Sequence, residues 1–594
     1  MLFPTLQEVS RYREMTTSFG GYNHQLSCQD GQFYDMKNMT SQYYPILSPR
    51  QSRGIVKQLV NPQGILDKED LMWIDEQKLY VNGEEKTLEG IELSSESPKT
   101  LAKMGAYVII MPDKVWYNED KGECGYMEHK TIIEDGHKIK FTPCSANGTA
   151  IEYQNAAYYE TTPAKDGDYM LSTNNGKPSL KVYSATTKTW LTVATTYIQI
   201  TATGIGEGFE KGDGVKITSS SYLDGLQNVF VNKEENGDVS TNTVIVDKTD
   251  DSIVITGIMG ERQSAPATFS LTIERKVPEM SFITECNNRL WGCSKDGHEI
   301  YCCKLGDVKN WNCFAGISTD SWAATIGSDG KFTGATTYLG YPIFFKEDSL
   351  IKVAVSANGG HQIKETKCRG VQKGSERSLA ILNETLYYKS TMGVCAYNGS
   401  LPVGISDAMG EVRYSDAVAG TIGNRYYISM KDIKGKSHLF VYDTKSGIWS
   451  KEDNVDVLYF CTHSDDLYYI DIADKKMKSI NGTLLYDVPE KAIEGKIDWF
   501  VESGTIGYSS PDNKYVARIN LRITLEVGTN VDFYLQYDSS GVWEHKFNMS
   551  GKGTKTFTVP IIPKRCDHFK YKLTGKGECK IHSIAKTLEE GSDI

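Results

Sequence analysis

Five stretches of this chain repeat one design, two short apolar runs joined by a polar turn: "NNRLWGCSKDGHEIYCC" (287–303), "LGYPIFFKEDSLIKVAV" (339–355), "LNETLYYKSTMGVCAYNG" (382–399), "IGNRYYISMKDIKGKSHLFVYDTKSGIW" (422–449) and "HSDDLYYIDIADKKMKSING" (463–482). Their apolar centres, Leu290, Phe344, Tyr387, Tyr426 and Tyr468, recur at roughly forty to fifty residues, the length of one small antiparallel sheet in a radial array. Two weaker copies precede them, "DLMWIDEQKLYVNGEEKTL" around Leu79 and "KTLAKMGAYVIIMPDKVWYNED" around Ile109. A hairpin apolar on both faces cannot cover itself, so each copy needs a neighbour on either side. The pattern predicts a β-propeller of roughly seven blades. An array of ordinary β-sandwiches is the competing arrangement. No WD dipeptide, kelch Gly-Gly pair or sialidase-type box fixes a subtype, and "SKDGHEIY" (294–301) starts like the last of these but ends in Tyr301, not Trp.

Between the second and third copies the pattern breaks. Alternating runs in "TWLTVATTYIQITATGIGEGFEKGDGVKIT" (189–218), "TNTVIVDKTDDSIVITG" (241–257) and "ATFSLTIERKVP" (267–278) predict a small β domain inserted in a propeller loop. After the last copy, at least five alternating runs separated by Gly, Asp and Asn predict a β-sandwich ending in an exposed acidic tail. The expected organisation is all-β: an N-terminal arm (1–55), a propeller (56–125 and 279–490), an inserted β domain (126–278) and a C-terminal β-sandwich (491–594).

Composition narrows the function. The 594 residues suffice for about two to four domains, and 54 Gly and 35 Tyr against 17 Pro favour strands and turns. The net charge of −11 is spread along the chain, with no basic arm to grip phosphates, so direct nucleic-acid binding is not expected. Thirteen cysteines are an odd set, and "MLFPTLQEVSRYREM" has no secretory pattern, which implies synthesis in a reducing cytoplasm. The sequons at Asn38, Asn147, Asn383, Asn398, Asn481 and Asn548 are therefore read as turns. No apolar window is long enough to span a membrane.

Candidate chemistry is sparse. Gly435–Ser437 lacks the earlier glycine of a phosphate-binding loop, with Met430 in its place, and "GIGEGFEKGDG" (204–214) fails the dinucleotide spacing. Cys286 with Cys293, the adjacent Cys302 and Cys303, and Cys566 with His568 are poor zinc pairs and read as buried thiols. Asp465, Asp466 and Asp348 read as solvated turn carboxylates rather than glycosidase acids. No Gly-x-Ser-x-Gly elbow is present. The expectation is a chain that is not an enzyme, with no catalytic residue, metal or cofactor.

Two segments carry a resemblance. In "FGGYNHQLSCQDGQFYDMKNMTSQYYPILSPR" (19–50) the matching residues are Phe19, Gly20, Gly21, Asn23, Asp30, Gly31, Asn38, Met39 and Arg50, and "LFVYDTKSGIWSKED" (439–453) supplies a Tyr-Asp-Thr-x-x-Gly-x-Trp turn. Together they resemble the tail-hub, or packaged-DNA stabilisation, proteins of short-tailed bacteriophages and the related β-propeller nozzles. The resemblance covers roughly 1–120 and 280–485. It implies a structural virion protein of the tail, a homo-oligomeric ring of typically six chains below the portal and adaptor, around the channel for DNA ejection. Implied partners are sibling chains, portal, adaptor and fibres, with DNA passing unbound and no membrane contact. The insertion and the segments "ESGTIG", "YDSSGVW" and "PIIPKRCDHFKYKLTGKGECKIHSI" depart from the simplest hub pattern; they look like modules of phages of Gram-positive bacteria. The competing function is a receptor-binding or glycan-cleaving tail protein. An intracellular host scaffold is a third reading.

The arm is aromatic but has no hairpin repeat, so Phe19, Tyr22, Phe33, Tyr34, Tyr43 and Tyr44 are its candidate assembly contacts. They are expected to pack on the propeller or on a neighbouring chain. The alternative is that the arm is an intrachain strand closing the propeller.

Overall fold

The computed structural model describes residues 11–174, 177–260, 262–355, 360–484, 492–507 and 512–590. The first ten residues, the end of the acidic tail and the expected boundary at 490/491 lie outside the described residues. The chain is all-β and built from many small sheets; the described helical turns are Tyr158–Thr161 and two 3₁₀ segments, Glu376–Ser378 and Asp407–Met409.

Seven of the sheets are four-stranded antiparallel meanders, spanning 62–86, 100–126, 280–325, 334–367, 380–404, 414–451 and 457–479. They are called the first to seventh sheets below. The seventh contributes only three strands of its own. Its fourth is Gly54–Gln58, paired antiparallel with Lys476–Ser479.

The second strand of each sheet explains the repeat. Leu71–Asp75, Leu290–Ser294 and Asp466–Asp471 are buried at every position, and their counterparts nearly so. Because successive side chains leave a strand on opposite faces, each apolar doublet divides between two cores. In the sixth sheet Tyr426 and Ile428 face the fifth, whereas Tyr427 and Leu439 share a cluster with Leu467 and Tyr469 of the seventh. The same division repeats from sheet to sheet. It returns to its start, since Tyr468 and Ile470 of the seventh sheet pack with Trp73 of the first and Val56 of the closing strand. Leu290, Phe344, Tyr387, Tyr426, Tyr468 and Ile109 lie on second strands. Leu79 does not: it is on the third strand of its sheet, Lys78–Val81, and the equivalent second-strand residue is Trp73. Both "LMWID" and "KLYV" are apolar runs next to polar turns, and the sequence alone does not say which of the two is the central strand.

Polar groups tie the same neighbours. Thr337 donates to Glu285 O, Tyr338 Oη to Glu384 O at 2.5 Å, Thr462 to Thr421 O at 2.7 Å, and His463 Nδ1 meets Asp67 at 2.8 Å.

Residues 129–275 form two five-stranded sheets over one apolar core, plus a four-stranded sheet over 153–192. This unit is bolted to the third sheet. Arg275 pairs with Asp213 at 2.5 Å and donates to Met127 O, while Asn310 both donates to Asp213 and accepts from Gly214 N. Met127 and Val277, inside the expected insertion limits, belong instead to the core between the second and third sheets.

The C-terminal strands make two facing sheets, and here the arm departs from expectation. Arg11–Thr16 pairs with Cys579–Glu590 on one sheet, and Gln32–Lys37 pairs with Asp498–Ser503 on the other. The arm supplies strands to the C-terminal sandwich as well as the closing strand of the seventh sheet, so its end is not at residue 55. Chain-remote hydrogen bonding of this kind leaves no local mark in an alternating polar segment such as "RYREMT".

Two outcomes test this architecture. His129 and Arg275 are paired neighbours, so replacing 129–275 by a short Gly/Ser linker leaves a cooperatively folded remainder by near-UV circular dichroism. Deleting 126–278 instead removes Met127 and Val277 and gives a visibly lower melting temperature. Trp449 is 2% exposed and donates its Nε1–H to Ile405 O at 2.7 Å. Trp449→Ala destabilises by about 3–5 kcal/mol in denaturant unfolding.

Candidate assembly site

Asn38 sits where three parts of the chain meet. Its φ of +56° is a left-handed conformation that asparagine tolerates better than most side chains. Its N–H donates to Glu452 O, just past the sixth sheet, and its Nδ2 to Asp498 O, at the first strand of the sandwich. Its Oδ1 accepts from Arg50 Nε at 2.9 Å. Arg50 in turn grips Glu494 at 2.6 Å. Arg53, 4% exposed, spans Glu452 at 2.5 Å and Asp453 at 2.8 Å and donates to the Tyr469 hydroxyl. Burial alone lowers the Arg53 pKa, but Asp453, Tyr469 and Glu452 outweigh it and hold the guanidinium charged. Burial likewise favours a neutral Glu494, and the two arginines reverse this, leaving its pKa below 4.5.

The other motif residues do similar work. A Cβ on Gly21, at φ +73°, would stand 2.3 Å from Trp449 O, so only glycine lets the arm cross the sixth sheet here. Asp30 receives the fully buried Lys586 ammonium and the Thr16 hydroxyl, locking the arm to the last strand of the sandwich.

The candidate contacts separate accordingly. Phe19, Tyr22 and Phe33 are buried within the chain: Phe19 stacks on Phe33, and Tyr22 meets Phe440 of the sixth sheet. Tyr34 is half-buried against His24 with Lys570 over its ring, and Tyr43 is half-buried under Lys580. Tyr44 is 47% exposed. Only the last three present surface to a second chain.

Beside the joint, a polar cavity of about 570 Å³ opens between Gln42, Thr421, Asn424, Arg425, Asp443 and Asn481.

The weaker chemical candidates take structural places. All thirteen cysteines are free, and burial pushes the Cys302 and Cys303 thiols up to about 11 and 12. Cys286 lies against Gly340 O, and Cys293 against Phe282 O. Among the described residues no three His, Cys, Asp or Glu side chains gather as a metal site, and no helix is long and apolar enough to cross a membrane. Gly435–Ser437 closes a hairpin turn capped by Asp432, and 204–214 is the loop leading to Asp213. Asp466 is buried and accepts from Leu467 N, Asn481 N and Ser479, whereas Asp348 is an exposed partner of Lys367.

His568 belongs to another set. Its Nδ1 lies 2.8 Å from Asp567 Oδ2, and its Nε2 lies 2.7 Å from the Ser539 hydroxyl. In the sequence His568 reads as a poor zinc ligand beside Cys566, and "YDSSGVW" as a departure from the hub pattern, with nothing to connect the two. The signal lay in the pairing of Tyr537 with Phe569, which sets the two turns side by side.

No family model and no curated protein matches this chain. Among solved structures it is similar to an exo-β-1,3-galactanase from Phanerochaete chrysosporium with galactose, 9% identical over 52% of this chain and 96% of that one, TM-score 0.22. It is also similar to a glycoside hydrolase, 10% identical over 51% and 98%, TM-score 0.19, and to a Bacillus thuringiensis Cry1Da tryptic core variant, 11% identical over 52% of each chain, TM-score 0.14. Superpositions this loose do not define a common fold.

The ion cluster makes two checks available. Arg53→Met leaves Glu452 and Asp453 under-compensated and costs about 3–5 kcal/mol in urea unfolding. Glu494 has a folded pKa below its unfolded one, so its contribution is present above about pH 4.5 and is lost as pH falls through the folded value. Glu494→Gln removes that acid-side component from the pH dependence of the melting temperature.

Proposed function

We propose that the seven sheets are the blades of a closed seven-bladed β-propeller, and that the chain is a structural virion protein of a bacteriophage tail. In this reading it forms a hub or nozzle ring below the portal and adaptor, around the DNA exit channel. The observation that carries the reading is where the hub-like motif falls. Gly21, Asp30, Asn38 and Arg50 hold sixth sheet, arm and sandwich together as one body. A part that transmits load between neighbours needs such a joint. The spread net charge of −11 suits a conduit that DNA phosphates do not adhere to. Tyr34, Tyr43 and Tyr44 are the arm residues offered to a sibling chain, in a ring that the resemblance makes sixfold.

A second reading, a receptor-binding tail protein, is favoured by one feature. Tyr159, Tyr183 and Trp190 form a half-exposed aromatic cluster on the four-stranded sheet over 153–192, with ring centroids 4.8 and 5.2 Å apart. Aromatic faces of this kind stack on sugars.

Cryo-electron microscopy of intact particles decides between them. The hub reading expects density for a cyclic ring of this chain on the tail axis. Monomers or trimers at a fibre tip, together with glycan-array binding that Trp190→Ala abolishes, establish the second reading in its place.

A further inference from the structure

We propose that Ser539, His568 and Asp567 form a serine-nucleophile esterase site on the rim of the C-terminal sandwich, acting on short-chain carboxylic esters borne on larger molecules. The two side-chain hydrogen bonds run in the order such chemistry requires. Asp567 can only accept, so the Nδ1 of His568 carries the proton and Nε2 is left as the acceptor for the Ser539 hydroxyl.

The two turns are held rather than incidentally close. Asp538 Oδ1 accepts from Asp567 N at 2.8 Å and from His568 N at 3.3 Å, and Asp538 N donates to His568 O at 3.0 Å. The buried Lys514 ammonium donates to Asp567 O from below. Asp538 and Ser539 both have φ of +50° and are the two central residues of a tight turn closed by Ser540 N donating to Tyr537 O. Among the described residues nothing accepts the N–H groups of Ser539 and Gly541, which leaves two donors in the same turn for a developing oxyanion.

In the step proposed, the Ser539 hydroxyl oxygen bonds to the ester carbonyl carbon as its proton passes to His568 Nε2. The carbon–alkoxide bond then breaks, and the alcohol leaves with that proton. Water attacks the acyl-serine, gives its proton to Nε2, and releases the carboxylic acid as the Ser539 oxygen recovers a proton. Asp567 is the positioning residue that orients the ring and stabilises its charged form. Ser539 is exposed and the Asp567 side chain is 52% exposed. The open turn, flanked by Ser540 and Gly541, admits a bulky alcohol portion, and the apolar surface that the turn itself offers is the exposed Val542 side chain, enough for a short acyl group and too small for a long one. This inference is independent of the tail-hub reading.

The test uses the full chain with a fluorophosphonate probe, p-nitrophenyl acetate and p-nitrophenyl octanoate. Expected are probe incorporation mapped to Ser539 and acetate hydrolysis that falls on the order of 100-fold or more in Ser539→Ala and His568→Ala. Ser539→Gly relieves the left-handed strain, so it melts no lower than the parent and is equally inactive, which separates loss of the nucleophile from loss of fold. Asp567→Asn lowers kcat while leaving KM unchanged, and Asp567→Glu restores part of the rate, because the ring loses and then regains the carboxylate that orients it. Absence of labelling in the folded chain, or labelling and hydrolysis unchanged in Ser539→Gly, overturns the site. Octanoate hydrolysed faster than acetate overturns the substrate class.

Discussion

The pairing of Gly54–Gln58 with Lys476–Ser479 is the constraint on which the rest depends. Seven small sheets that each share cores with their neighbours leave an apolar face bare wherever the series ends. A strand taken from before the first sheet and hydrogen-bonded into the last removes both ends at once. Val56 enters the core that joins the seventh sheet to the first, beside Trp73 and Tyr468. Arg53, one residue ahead of that strand, enters the ion cluster with Glu452 and Asp453. Closure and the anchoring of the sandwich are thus one event in the chain.

The buried charges at this joint are costly groups to desolvate, and a well-packed apolar substitute would hold as well. What they add is direction. Arg50 and Arg53 meet Glu452, Asp453 and Glu494 in one arrangement, with Asn38 fixing the Arg50 side chain, and sliding the arm by one residue would strand several charges away from water. An apolar seam tolerates such slippage far better.

The sequence disclosed what is local. Second strands buried on both faces, such as "LYYKS" and "LYYID", give apolar doublets at a blade-like interval because their two faces serve different cores. The inserted unit was equally visible from its alternation, though not its seam, since Met127 and Val277 look like any other apolar residues near a boundary. What stayed hidden depends on partners hundreds of positions away. Phe19, Tyr22 and Phe33 read as assembly contacts until the sixth sheet and the sandwich strand beside them are in place. Ser539 and His568 are ordinary turn residues in the sequence and become neighbours only through the register of Tyr537 on Phe569.

The arm also orders events during synthesis. Arg11–Thr16 and Gln32–Lys37 leave the ribosome hundreds of residues before their partners, Cys579–Glu590 and Asp498–Ser503. Contacts of such sequence separation close slowly. Over that interval the arm is a set of strand edges with no mate yet made in its own polypeptide. At high local concentration a second nascent chain can take the vacant place, and the same strands that complete one molecule then link two by exchange.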